Sequence, residues 1–148
     1  MADQPYCPVT ISTDPSRLDV EMIHGALTHS YWAAGISRDL VERSMRHSLC
    51  FGAFDGEDRQ VAFARAISDR ATFAYVCDVI VLPSHRGRGV GKQLMAAVVA
   101  YPDLQGLRRW LLSTRDAHAL YRRYGFTEVR HPERFMEVLN LTDQEAQP

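Results

Sequence analysis

VCDVIVLPSHRGRGVGKQLMAAVVAY, residues 76–101, is the stretch that decides the fold. Its first part, taken with the residue before it as Tyr75–Leu82, is β-branched and aliphatic with a single charge. That composition predicts a strand covered on both faces. Pro83 ends the strand because proline has no N–H to donate to a ladder. From Val90 onward, apolar residues recur at helical spacing as far as Tyr101, which predicts a helix after a short turn.

The turn between the predicted strand and helix has the features of an anion site. The first backbone N–H groups of a helix have no partner within the helix, and the helix dipole favours negative charge at that end. Glycines let the backbone approach a phosphate and adopt positive φ. Arg86, Arg88 and Lys92 add positive charge, and Lys92 is the only lysine in the chain. The turn therefore predicts a site for a phosphorylated ligand.

Two well-known phosphate-binding motifs do not fit this turn. A Walker A loop needs a glycine five residues before Gly91 and a serine or threonine after Lys92, but the sequence has Arg86 and Gln93 there. A dinucleotide fingerprint that starts at Gly87 needs a third glycine where Lys92 stands. A helix-capping turn with solvated arginines is the simpler alternative. It does not explain three alternating glycines, which lose backbone entropy without a packing gain.

What remains is Arg-Gly-x-Gly-x-Gly after a Val-x-Pro strand end, residues 81–91. This pattern resembles the acetyl-CoA signature of the GCN5-related N-acetyltransferase (GNAT) family, in which the turn wraps the pyrophosphate of coenzyme A. A second block, Thr114–Phe126, is similar to the family pattern Asn-x-x-Ala-x-x-Leu-Tyr-x-x-x-Gly-Phe. It departs from that pattern in having Thr114 in place of the asparagine that contacts the pantetheine arm, so one amide contact is lost.

The length and composition are those of one soluble domain. The 148 residues are 46% hydrophobic and 24% charged, and we expect a single domain over residues 1–148 with its core at about 9–141 and a frayed C-terminal tail. No apolar run approaches a membrane span, and the first ten residues do not have the pattern of a signal peptide. The net charge of −1 argues against binding nucleic acid or membranes by charge alone.

The cysteines and histidines give no sign of a disulfide or a metal site. Cys7, Cys50 and Cys77 are odd in number and form no Cys-x-x-Cys pair, which predicts reduced, buried thiols in a cytoplasmic protein. No pair of histidines or cysteines has metal-ligand spacing, so we expect no metal. His29 and His118 remain spare candidates for proton transfer.

The order of predicted elements defines the fold class. We expect an α+β fold with a mixed, mostly antiparallel central sheet, one parallel strand pair and helices on both faces, as in the GNAT family. Helices are predicted at 18–28, 38–47, 90–101 and just after 114–116. Strands are predicted at 9–12, 49–54, 60–68, 73–82 and 107–113, and a last hairpin at 126–129 and 135–140. No internal repeat or second domain is apparent.

The resemblance implies a role for each candidate site residue. It assigns the pyrophosphate to Arg86, Gly87, Arg88, Gly89, Val90, Gly91 and Lys92. It assigns the pantetheine arm to the strand edge at Ile80, Val81 and Leu82 and to Thr114. Tyr121 matches the family tyrosine that assists the leaving thiolate, and the alternative is a core aromatic. Asp78 matches a position that relays the amine proton, and the alternative is a hydrogen bond to nearby backbone. Tyr31 and Trp32 would border the acceptor amine or merely cover the core.

The resemblance therefore implies an acetyl-CoA-dependent N-acetyltransferase. It would act by direct transfer in a ternary complex on a primary amine of a small molecule or peptide, and a homodimer stays open. A non-catalytic acyl-CoA sensor or interaction module on the same fold is the first alternative. A nucleotide binder that anchors phosphate at the turn is the second, and it predicts that ATP competes with coenzyme A.

Overall fold

A computed structural model describes residues 4–140 and contains a five-stranded sheet with helices on both faces. The strands are β1 (Thr10–Ser12), β2 (Leu49–Phe54), β3 (Gln60–Ser68), β4 (Phe73–Val81) and β5 (Arg109–Leu112). The helices are α1 (Val20–Thr28), α2 (Arg38–Arg46), α3 (Val90–Val99) and α4 (His118–Arg122). Short 3₁₀ turns lie at Pro15–Arg17, Pro83–His85, Pro102–Leu104 and Pro132–Arg134. The α+β fold class is confirmed.

The sheet is antiparallel except at one edge. Its strands follow chain order, and only β4 and β5 pair in parallel. Their register runs from Phe73 opposite Arg109 to Val76 opposite Leu112. β4 continues to Val81, so its C-terminal half extends beyond the last residue paired with β5. An exposed strand edge of this kind can accept an extended ligand as an added strand.

Two apolar clusters hold the helices against the sheet. On one face, Ala62, Ala64 and Ala66 of β3 share a buried cluster with the inward residues of α3 and with Tyr121 of α4. The small alanines leave room for α3 to pack closely on the strand. On the other face, α1 and α2 pack against the sheet through a cluster that contains Phe63 of β3. Helices therefore cover both faces, as the sequence predicts.

A β-bulge interrupts the pairing of β3 with β4. Arg65 is opposite Cys77, but Phe63 is opposite Ile80, so β4 has one extra residue between these pairs. Asp78 lies in that stretch with φ of +52°, a left-handed conformation that aspartate adopts more readily than most residues. Bulges of this kind bend a strand and are over-represented next to active sites.

The predicted last hairpin is wrong for the described residues. Neither 126–129 nor 135–140 forms a strand, and the 3₁₀ turn at Pro132–Arg134 lies between them. An extended segment becomes a strand only when its N–H and C=O groups pair with a neighbouring strand, and within 4–140 no backbone hydrogen bond joins 126–129 to 135–140. Met136 and Val138 are accordingly 98% and 85% exposed. The end of the expected core at 141 and the expected frayed tail lie outside the described residues.

The cysteines are all free thiols. Cys7 and Cys50 are buried, whereas Cys77 is only half-buried, so the prediction of burial is wrong for that residue. Cys77 lies one residue beyond Val76, the last residue of β4 that pairs with β5, so the edge of the sheet is open there. Among the described residues, no helix is long and apolar enough to cross a membrane.

Candidate active site

The turn between β4 and α3 is open to an anion. Gly87 and Gly89 have φ of +70° and +79°, and Gly89 is the N-cap of α3. Glycine has no side chain to cap the helix, and none of the backbone N–H groups from Gly87 to Lys92 donates to a described acceptor. A row of free N–H groups at a helix N-terminus binds phosphate oxygens. The turn thus has the donors that a pyrophosphate needs.

The charges beside the turn are not neutralised by the rest of the described chain. Arg86, Arg88 and Lys92 form no ion pair within residues 4–140. The Nε of Arg86 donates to the backbone oxygen of Val81 at 3.1 Å, and the Nε of Arg88 donates to that of Pro5 at 2.9 Å. These contacts fix the two stems and leave the terminal guanidinium nitrogens for an anion.

Val90 and Gly91, the remaining residues of the turn, pack against the protein and do not extend a side chain toward the anion site. Val90 is 1% exposed and belongs to the core cluster beneath α3. A Cβ at Gly91 would lie 3.8 Å from Val81 and 3.9 Å from Leu120, an ordinary contact distance. Both residues therefore offer backbone N–H groups to a ligand, with no side-chain contribution.

The strand edge predicted to bind the pantetheine arm is only partly available. Ile80 is buried opposite Phe63 of β3, and the N–H of Leu82 donates to the backbone oxygen of Val61 on the same side. The backbone oxygen of Val81 accepts from Arg86. An added strand would therefore have to displace the Arg86 contact or pair with the half of β4 nearer the bulge.

Tyr121 lies on α4 with its phenol in a largely dry environment. The residue is 8% exposed, and its ring packs edge-on against Phe126 with centroids 6.1 Å apart. Its hydroxyl has no hydrogen-bond partner among the described residues. Burial, with smaller contributions from Tyr31 and Asp116, raises the pKa of Tyr121 to about 12. The phenol therefore stays protonated at neutral pH and can donate a hydrogen bond.

Tyr124, three residues further on, has a structural role. Its hydroxyl donates to the backbone oxygen of Lys92 at 2.6 Å, which ties the end of α4 to the first turn of α3.

Thr114 shapes the loop before α4. Its hydroxyl oxygen accepts a hydrogen bond from the N–H of Ala117 at 3.1 Å, and Ala117 is the N-cap of α4. The prediction that Asp116 or Thr114 caps this helix is therefore wrong: the N-cap is Ala117, and no side chain caps α4. The hydroxyl proton of Thr114 remains available to a ligand.

Asp78 is held by two donors from different parts of the fold. One carboxylate oxygen accepts from the indole N–H of Trp32 at 2.9 Å, and the other accepts from Arg65 at 2.9 Å. The side chains of Asp78 and Arg65 are 11% and 15% exposed, and Arg65 also donates to Ser48. The bulge that carries Asp78 is therefore fastened to β3 and to the loop between α1 and α2. The structure thus joins Asp78 and Trp32 in one hydrogen bond.

Tyr31 and Trp32 form an exposed aromatic rim. Their rings meet edge-on with centroids 5.0 Å apart, and they are 45% and 44% exposed. The guanidinium of Arg115 lies 3.8 Å from the centroid of the Tyr31 ring, and the N–H of Arg115 donates to the Tyr31 hydroxyl. These contacts join the loop between α1 and α2 to the loop before α4. Both residues leave nearly half of their surface open to a ligand.

Two neighbours of the site were not found by sequence reasoning. Arg65 could have been suspected, because it is the one charge in an otherwise apolar strand. Arg115 gave no signal, because arginines make up nearly all of the positive charge of this chain.

A large groove lies beside α4, away from the turn. It has a volume of about 1000 Å³ and runs along the outer edge of β5, with the segment after α4 as its other wall. Thr114 and Tyr121 line one end of it, but none of Arg86–Lys92 does. We place the anion site at the turn because the free N–H groups and unpaired charges are there. Within residues 4–140, no cluster of three metal-ligating side chains occurs.

Comparison with known proteins adds to this geometry. Residues 18–126 match the acetyltransferase (GNAT) family. A crystal structure of a Xanthomonas campestris protein assigned to the GNAT family of acetyltransferases superimposes with a TM-score of 0.87 and 57% identity, covering 90% of this chain and 94% of that one. A Gibberella zeae protein named as an acetyltransferase is 32% identical over 143 residues, 81% of this chain and 80% of its own length.

A relative with a named substrate matches over a shorter stretch. Serotonin N-acetyltransferase 2 of Oryza sativa is 38% identical over 89 residues, which is 55% of this chain. The match spans 44% of the rice protein.

Proposed function

Because the chain belongs to the GNAT family of acetyltransferases, whose members take an acyl group from acetyl-CoA, we propose that it is an N-acetyltransferase. In this proposal the acetyl group passes directly to a primary amine of a small molecule or peptide within a ternary complex. Family membership supports acyl transfer, and the exposed aromatic rim of Tyr31 and Trp32 supports the choice of an amine acceptor.

The observation that carries the proposal is the set of free N–H groups from Gly87 to Lys92. They lie at the N-terminus of α3, beside three positive side chains that form no ion pair within residues 4–140. A hydrogen bond to a charged group contributes about 1.5–3 kcal/mol, so a handful of them is enough for micromolar binding of a pyrophosphate. The turn would hold coenzyme A through backbone N–H groups, with Arg86, Arg88 and Lys92 adding charge.

The coenzyme supplies an activated acetyl group and leaves as a thiolate when the amine takes that group. In this proposal Tyr121 donates a hydrogen bond to this thiolate. A full proton transfer is less favourable, because the pKa of Tyr121 is raised to about 12 while a thiol has a pKa near ~8.5. That difference corresponds to roughly 5 kcal/mol. Tyr121 therefore acts as a hydrogen-bond donor to the thiolate, and solvent supplies the proton.

The amine must lose a proton before it can attack. An alkyl amine with a pKa near ~10.4 is less than ~0.1% neutral at pH 7. Asp78 was the predicted base, but both of its oxygens already accept a hydrogen bond from Trp32 or Arg65. We therefore propose that Asp78 positions the acceptor loop and that water takes the proton.

The acceptor would bind beside the aromatic rim of Tyr31 and Trp32. Exposed aromatic faces attract cations and stack on rings, so they suit an amine with an aromatic group. The rice relative is named for serotonin, an aromatic amine. Arylalkyl amines are accordingly the first acceptors to test, followed by polyamines, amino sugars and peptides with a free N-terminus.

The test is a thiol-release assay with acetyl-CoA and this panel of amines. We expect at least one amine to raise the rate of thiol release well above the rate without acceptor, and mass spectrometry to find the acetylated amine. If coenzyme A binds in calorimetry but no amine is acetylated, the sensor alternative is favoured. If ATP displaces coenzyme A at similar concentration, the nucleotide-binding alternative is favoured.

Assembly and location are further parts of the proposal. We propose a homodimer because the apolar side chains of Met136 and Val138 are exposed while the outer edge of β5 borders an open groove. Light scattering that gives the mass of one chain would contradict it.

The three free thiols support a reducing compartment such as the cytoplasm, and a fluorescent fusion in cells would test this.

A further inference from the structure

The N-terminal segment Pro5–Val9, here called the strap, lies against the anion turn. The N–H of Cys7 donates to the backbone oxygen of Arg88 at 2.9 Å, and the backbone oxygen of Pro5 accepts from the guanidinium of Arg88 at 2.9 Å. The strap thus holds Arg88 at both its backbone and its side chain.

The ring of Tyr6 lies over the glycine that caps α3. A Cβ at Gly89 would come within 2.8 Å of that ring, although the Tyr6 residue is 64% exposed. Cys7 next to it is 7% exposed and belongs to the main core cluster. The strap is therefore anchored in the core and closes over one flank of the turn.

Gln93 joins the strap to the turn with both ends of its side-chain amide. Its Nε2 donates to the backbone oxygen of Cys7 at 2.8 Å and to that of Gly89 at 3.1 Å. Its Oε1 accepts from the N–H of Val9 at 3.0 Å. Both amide protons and the amide oxygen are used, so this side chain is fixed in one orientation. Gln93 lies on the first turns of α3, directly after the proposed pyrophosphate-binding residues.

The turn needs such support. Two of its glycines adopt positive φ, and α3 has no side-chain cap. The N–H groups from Gly87 to Lys92 make no hydrogen bond within residues 4–140 that would fix the backbone of the turn. An unsupported glycine-rich turn would populate many conformations, and a ligand would have to select the binding-competent one. Contacts that fix the turn beforehand raise affinity by removing that penalty.

We propose that Gln93 and the strap are positioning elements that hold the turn in its coenzyme-binding conformation. The inference rests on the proposed function, since it names residues outside the turn that determine coenzyme affinity. Gln93 touches no part of the expected ligand and acts through Cys7, Val9 and Gly89. The alternative is that the strap only adds stability to the N-terminus of the sheet.

The test replaces Gln93 by methionine, which keeps the length and apolar stem of the side chain but removes all three hydrogen bonds. We expect the dissociation constant of coenzyme A in calorimetry to rise at least tenfold. The KM for acetyl-CoA should rise in step, while kcat at saturating acetyl-CoA and the KM for the amine should change less than about twofold. Acetyl-pantetheine, which lacks the pyrophosphate, should be used with unchanged kcat/KM.

Gln105→Met is the matched control. Gln105 also ties a loop to α3, because its Nε2 donates to the backbone oxygens of Val99 and Tyr101 at 2.9 Å, but it does so at the far end of the helix. We expect Gln105→Met to lower thermal stability without changing the affinity for coenzyme A. Equal losses of affinity in the two variants would mean that both act through stability alone, and would overturn the inference.

A measurement on the wild type covers the case in which Gln93→Met fails to fold. Coupling between two parts of a protein is reciprocal, so coenzyme A should slow hydrogen exchange of the strap amides, those of Cys7 and Val9 above all. Unchanged exchange of the strap in the presence of bound coenzyme A would overturn the inference. A wild type that binds no coenzyme A would instead refute the proposed function.

Discussion

The hydroxyl of Tyr121 distinguishes the two main hypotheses, an enzyme and a non-catalytic sensor, because only the enzyme would need it for turnover. Tyr121→Phe keeps the ring and its edge-on packing against Phe126, so the core around α4 should be unchanged. Only the hydroxyl is lost, and it has no hydrogen-bond partner among the described residues that could be left unsatisfied. The variant should therefore fold with nearly wild-type stability.

The size of the expected effect follows from the environment of the phenol. Tyr121 is 8% exposed, and its pKa is raised to about 12, chiefly by burial. A hydrogen bond from such a group to a thiolate contributes about 1.5–3 kcal/mol. The kcat of Tyr121→Phe should thus fall by about 10- to 150-fold. The affinity for acetyl-CoA should hardly change, because the interaction strengthens only as the thiolate forms.

The assay is thiol release with the best amine found, measured from about pH 6 to pH 10. Since the phenol stays protonated below a pKa of about 12, the ratio of wild-type to variant kcat should be constant over this range. Tyr101→Phe is the control, because Tyr101 packs on Phe51 at the far end of α3. Tyr124→Phe is less suitable, since its hydroxyl holds the backbone of Lys92.

Two results would refute the reasoning. Equal kcat in wild type and Tyr121→Phe would remove the hydroxyl from the mechanism. A ratio that collapses as the pH rises toward 10 would show that the phenol gives up its proton at a much lower pKa than burial indicates, and the hydrogen-bond mechanism would be wrong.

Three further predictions follow from the turn, the bulge and the thiols. Gly89→Val, at φ +79°, should weaken coenzyme A binding at least tenfold in calorimetry. The control Gly25→Ala in α1 should leave the affinity unchanged and raise the melting temperature. Unchanged affinity in a folded Gly89→Val variant would refute the assignment of the anion site to the turn. Asp78→Asn should lower the melting temperature strongly, since it leaves a largely buried arginine unpaired at a cost of about 3–5 kcal/mol. It should also keep the acid limb of the pH–rate profile, whereas a flattened limb at unchanged stability would restore the residue as base. Burial raises the pKa of Cys50 and of Cys77 to about 11, so the folded state holds these protons more tightly than the unfolded state. The free energy of unfolding should therefore fall as the pH rises from about 9 to about 11. Cys50→Ser should make that fall shallower in thermal scans at several pH values, and an unchanged slope would contradict the assignment.

The sequence predicts correctly those strands and helices whose ends are marked by a clear local pattern. The bounds of β2 and β3 are confirmed to the residue, because apolar runs end there at Asp55 and Asp69, which begin polar turns. The start of α3 at Val90 follows from the glycine that caps it. The parallel pairing of β4 and β5 follows from the helix between them, since a crossover connection leaves few other arrangements.

The last hairpin failed for a reason that no local pattern can reveal. Apolar residues are frequent over 135–140 and suggested an extended segment, but pairing depends on a neighbouring edge. The bulge at Asp78 was missed in a similar way. Its signal was an aspartate in an apolar strand, which suggested chemistry, whereas in the structure the residue adopts positive φ and bonds to Arg65 and Trp32. Gln93 looked like an ordinary helix residue, because its partners lie more than eighty positions earlier.

The two halves of the site are held together by different means, and this bears on how they would work. The proposed coenzyme half is a short turn that the strap contacts. The acceptor half depends on contacts between distant loops, among them the contact of Arg115 with Tyr31. Tyr31 also contributes to the raised pKa of Tyr121. An amine that orders the aromatic rim would therefore act on the hydrogen-bond donor as well, because drying the rim strengthens a hydrogen bond to the thiolate. Removing the Tyr31 ring should then lower kcat as well as raise the KM for the amine, and an effect on the amine KM alone would show that the two halves act independently.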